Sequence, residues 1–101
     1  MNFGNLLQQA QQMQRKVNKA KKEFDEREFE FNSQDDLIVG KMKGNLSIIE
    51  LHIAPSLMQE DQDNMEALLM ATINQTITKV SKEREDTLNQ VTNGVDVSAF
   101  L

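Results

Sequence analysis

Gln8, Gln12, Arg15, Lys19 and Lys22 follow one another at steps of four, three, four and three. On an α-helix that spacing lines them along one face. Amides come first and cations second. Lysine and arginine neutralise phosphates, and glutamine hydrogen-bonds to phosphate oxygens or base edges. Lys16 lies beside the row and Lys21 adjoins its end. The chemistry this face offers is recognition of a polyanion. The plainer alternative is a solvated face on an ordinary amphipathic helix.

A second basic group, Lys79, Lys82 and Arg84, sits among Glu83, Glu85 and Asp86. Ion pairs within a helix and cations towards its carboxyl end account for it without a ligand. Lys41 and Lys43 alternate on one strand face and either extend a basic surface or are ordinary surface charges. Catalytic arrangements are missing. The single histidine, His52, has no nucleophile motif near it, and the chain has no cysteine. There is no glycine-rich phosphate loop. The acids Glu60, Asp61 and Asp63 lack the central glycine of a calcium loop. No enzyme activity, cofactor, metal or small-molecule substrate is expected.

These side chains need elements to hold them. Phe3, Leu6, Ala10, Met13, Val17, Ala20 and Phe24 form an alternating three–four seam opposite the amide and cation row. This predicts a helix over about 2–23 that buries one narrow stripe. From 25 the period changes to two: Glu26, Glu28 and Glu30 alternate with Arg27, Phe29 and Phe31, as in a half-buried strand. Leu37–Lys43 and Leu46–Ile53 complete an antiparallel meander over about 25–53. Gly40 marks a bulge or close packing, and Gly44-Asn45 a tight turn in which glycine supplies an unusual backbone angle. Pro55 ends the sheet. A long helix over about 62–90 follows, capped by Asp61 or by an Asp63/Glu66 box. Its apolar positions are Met65, Leu69, Ile73, Ile77, Val80, Leu88 and Val91, and Asn93-Gly94 stops it.

The 101 residues predict one small α+β domain over 1–101, with helix, three-stranded antiparallel sheet and helix in order. A core of that size is modest, so burial against a second copy is expected to supplement it, through the seam or a strand edge. The net charge of −5 hides an uneven distribution. Residues 1–22 carry five positive charges and no acid, whereas the rest carries six positive and sixteen negative charges. Screening over about 8–10 Å lets the basic end act as a local feature on an acidic body. No signal peptide or membrane-length apolar run is seen, so a cytoplasmic protein is expected.

Four segments taken in order, NFGNLLQQAQQMQRKV, VGKMKG, ELHIAPSLMQED and EALLMATINQTITKVSKE, resemble the YbaB/EbfC family of bacterial nucleoid-associated DNA-binding proteins. The resemblance implies a tweezer-like homodimer with projecting helices. It implies binding of double-stranded DNA with weak sequence preference, altered DNA conformation, a nucleoid location and influence on gene expression. Carried onto this chain, the contact residues are Arg15, Lys16, Lys19 and Lys22, with Lys79, Lys82 and Arg84 on the last helix. The chain departs from the family at Asp35-Asp36, at Ile49 and Glu50, and at Ala54-Pro55, which leaves the sheet less cationic. The rival expectation is a protein-interaction adaptor that uses its amphipathic helices without DNA.

Overall fold

In the computed structural model, residues 2–92 are described, and their order is helix, three strands, one helical turn, helix. The first helix, α1, spans Phe3–Glu26. Asn2 caps it by accepting the Gly4 N–H at 2.9 Å. The helix continues beyond the expected end because Phe24 is buried and the next turn is tied to other elements. Arg27 then turns to extended backbone. Three strands, β1 (Glu28–Asn32), β2 (Ile38–Lys43) and β3 (Ile48–Ile53), form an antiparallel sheet in the order β1-β2-β3. A single turn, α2 (Pro55–Met58), with proline at its start, leads to α3 (Gln62–Val91). Asp61 caps α3, accepting the Asp63 N–H at 3.3 Å, and Glu66 instead accepts from the Gln62 side chain at 2.8 Å. The expected stop at Asn93-Gly94 and the tail lie outside the described residues.

Two glycines are needed for closeness, not for backbone angle. A Cβ on Gly40 would meet the Phe31 ring, 2.6 Å from Cζ, and the Glu50 carbonyl. A Cβ on Gly44 would meet the Phe24 carbonyl and stand 2.6 Å from its Cδ1. The left-handed angle in the β2–β3 turn belongs to Leu46, with φ 71°, so the expected role of Gly44 is corrected. The register irregularity falls at Lys41/Met42, next to Gly40.

The core comprises Phe24, Phe31, Ile38, Met42, Leu57 and Val80, with Phe29, Met65, Leu69 and Ile77 packed around it. The α3 face turned fully inward carries Thr72, Thr76 and Val80. The threonine hydroxyls donate to the carbonyls of Leu68 and Thr72, at 2.8 and 2.7 Å, so their burial leaves no polar group unmet. The apolar positions Ile73 and Ile77 are only half-buried.

The molecule measures 68 × 19 × 16 Å, with a radius of gyration of 19.0 Å. A compact chain of this length would have about 13 Å. The excess comes from the helices. Asp25 meets Arg84, Arg27 meets Glu83, and Ala20 lies with Thr87 and Val91, so α1 and α3 run antiparallel over only part of their length. The seam is therefore used in part. Val17 and Phe24 are buried, while Phe3, Leu6 and Ala10 are exposed.

Candidate nucleic-acid interface

The end of α1 that packs, around Val17 and Phe24, fixes which face of the helix looks outward. Gln8, Gln12, Arg15, Lys19 and Lys22 are all exposed on it, as is Lys16. Arg15, Lys16 and Lys22 form no ion pair with any described residue. Lys19 stands 3.9 Å from Glu23 one turn along, with both side chains mostly exposed. Such a pair holds its partners weakly, at about 0.3–0.5 kcal/mol. At about 1.5 Å per residue, the row from Arg15 to Lys22 is roughly 10 Å long. Residues 2–14 carry no charge, so the cations form a band between a neutral tip and the acidic body.

The second basic group is not gathered into a like surface. Lys79 is exposed beside Glu30 and Gln75 along a cleft between α3 and β1. Lys82 is 3.7 Å from Asp86. Arg84 is turned inward. Its Nη1 donates to Oδ1 of Asp25, and its guanidinium lies 5.8 Å from the centre of the Phe24 ring. Its side chain retains 28% of its exposure. An arginine committed to a carboxylate and a ring has little fork left for a phosphate.

The strand lysines are likewise balanced by acids. Lys43 Nζ donates to Glu26 Oε2 at 2.8 Å, and this hydrogen bond, reinforced by the carboxylate's charge, holds the ammonium above the ordinary lysine range. Lys41 is paired in register with Glu50. His52 lies 3.8 Å from Glu50 at the exposed edge.

Arg27 is the residue that sequence reasoning missed. Alternation sets it on the Phe29 and Phe31 side of a strand, with no role for its charge. Its guanidinium instead lies 5.1 Å from the Phe24 ring centre and 4.9 Å from that of Phe29, and reaches Glu83 at 3.6 Å. The only signal was its position at the change of period from helix to strand.

Among the described residues no His, Cys, Asp and Glu cluster could hold a metal ion, and no helix is long and apolar enough to cross a membrane.

A partly detached helix with a cationic band, rooted in a small antiparallel sheet and tied to a second long helix, defines an α+β chain built to present helices. The sequence pattern of the YbaB/EbfC DNA-binding family matches residues 1–95, and the chain belongs to that family. A nucleoid-associated protein of Legionella pneumophila (strain Corby) is 30% identical over 100 residues, covering 99% of this chain and 89% of that protein. One from Psychrobacter sp. (strain PRwf-1) is 37% identical over 99 residues, covering 94% and 90%. The crystal structure of an uncharacterized protein from Helicobacter pylori shares the fold, with a TM-score of 0.72 at 20% identity, covering 85% of this chain and 91% of that one.

Proposed function

We propose that this protein binds double-stranded DNA as a homodimer in the nucleoid, through phosphate contacts made by Arg15, Lys16, Lys19 and Lys22. The observation that carries this reading is the exposed cationic band on a helix that extends from the body. Family membership and the names of its relatives support it. Affinity comes mainly from displaced counterions. Sequence preference is weak, because four flexible cations and neighbouring amides read charge more than base identity. Two such helices held at fixed spacing favour DNA shaped to meet both, which alters its path. Lys79 and Lys82 add long-range attraction.

The dimer surface is assigned to β3. This edge strand and the turn before it expose Leu46, Ile48, Ile49 and Leu51, each to 40% or more. A bare aliphatic edge strand invites pairing with another chain, and a second copy offers the same aliphatic edge in return.

The test is titration of duplex DNA at several salt concentrations. Replacing Arg15, Lys19 and Lys22 together by glutamine weakens binding to unrelated sequences alike and leaves the thermal melt unchanged. The slope of log K against log salt falls by about 0.9 for each phosphate contact removed. Undiminished binding overturns the assignment. A second reading, a protein-interaction adaptor, draws on the exposed Phe3, Leu6 and Leu7. A stoichiometric protein partner recovered without DNA would replace the first reading with it.

A further inference from the structure

We propose that Arg84 serves DNA binding as a positioning residue: with Asp25 and Phe24 it fixes the angle at which α1 leaves the body. The inference rests on the reading that the α1 cations contact DNA. The base of α1 is held by crossed pairs. Asp25 of α1 receives Arg84 of α3, and Arg27, just past α1, reaches Glu83 of α3 at 3.6 Å. Phe24 lies within cation–π range of both guanidiniums, 5.8 Å from that of Arg84 and 5.1 Å from that of Arg27. Phe24 is 1% exposed, and Gly44 presses on its backbone from the β2–β3 turn. Lys43 of β2 binds Glu26 at 2.8 Å. Every one of these polar contacts lies in residues 24–27, at the end of α1; along the cationic band the helix is held by its apolar stripe, in which Val17 is buried.

That arrangement is a lever. Arg15 is roughly 15 Å of helix from Asp25, so a tilt of about 10° at the base moves it by roughly 3 Å, about the length of a hydrogen bond. Loosening the base leaves the tilt of α1 to its apolar stripe at Val17 alone, and a change of tilt moves every cation on the band at once, without touching any of them.

Direct contact and positioning predict opposite signs for Asp25→Asn. If Arg84 bound phosphate itself, removing Asp25 would release it and delete a negative charge, and DNA binding would tighten. If Arg84 positions α1, the same change weakens binding by about threefold or more, as expected for loss of a coupled partner. Arg84→Lys, which keeps the charge but not the planar fork, behaves like Asp25→Asn.

A readout without DNA completes the test. The chain has no cysteine, so Gln11→Cys and Asn74→Cys introduce two spin labels, diluted in unlabelled protein, for a distance measurement by electron paramagnetic resonance. The inference predicts a narrow distribution in the parent chain that broadens in Asp25→Asn and in Arg84→Lys. Tighter DNA binding by Asp25→Asn, or a distribution unchanged in both variants, overturns it. Absence of DNA binding by the parent chain defeats the functional reading instead, and the distances then report on the bracket alone.

Discussion

At the scale of single residues, closeness dominates. Gly44 has an ordinary backbone angle, so alanine there gains about 0.4–1 kcal/mol from the unfolded chain's lost freedom. Against this stands the Phe24 carbonyl, in the path of the new Cβ, and a ring carbon 2.6 Å away. A backbone neighbour cannot rotate aside, and overpacking of this kind costs about 1–3 kcal/mol. The second effect wins. Gly44→Ala is expected to lower the melting temperature by several degrees in calorimetry, and an unchanged or raised value would refute the packing argument.

Lys43 supplies a pH prediction. Its ammonium is raised above the ordinary lysine value by Glu26. A group whose folded pKa is raised contributes stability that is fully present below its unfolded pKa and lost as pH rises through the folded one. The contribution of this pair is therefore level through neutral pH and falls away only in strongly alkaline solution. Denaturant melts of the parent chain and Lys43→Met should differ at pH 7 and converge at high pH. A difference that vanished already between pH 7 and 9 would contradict the assignment.

At the scale of elements, α1 and α3 show what was legible and what was not. The α1 seam was clear from its period, since Val17 and Phe24 are where the three–four steps put buried residues. The same steps ran on through Phe3, Leu6 and Ala10, which are exposed. A period states which face is apolar, whereas its cover depends on the overlap of two helices far apart in the chain. In α3 the departure runs the other way. Val80 and Leu88 are buried as the pattern expects, but the inward face also takes Thr72 and Thr76, which a hydropathy pattern counts as polar; their hydroxyls bond back along their own helix. The meander was legible from alternation and turn residues, but Leu46 in place of Gly44 at the left-handed position was not.

The candidate site divides along the same line. The exposed row from Gln8 to Lys22 followed from spacing on one helix. The inward turn of Arg84 did not, because its partner Asp25 is distant in sequence and near only once the helices cross. Leucine truncation tests that crossing. Leu88 is fully buried in α3, so Leu88→Ala is expected to cost about 2–5 kcal/mol, measured by denaturant unfolding. A loss below about 1 kcal/mol, the level of a surface change, would mean that the helix pair contributes little.

For the whole molecule, Leu46 poses a choice between standing alone and assembling. A bulky side chain at φ 71° occupies a backbone region costing on the order of 1 kcal/mol, where asparagine or glycine is at ease. Within one protomer the Leu46 N–H donates to the Lys43 carbonyl at 2.8 Å, yet the side chain remains 41% exposed, so its apolar surface does little to offset that cost. If its methyl groups are covered by a second copy, a single change should move two properties in opposite directions. Leu46→Asn would make the separate protomer sturdier to heat and the dimer easier to dilute apart, as read by melting and by sedimentation. A leucine at that corner would then mark a chain shaped for company at the expense of its own comfort.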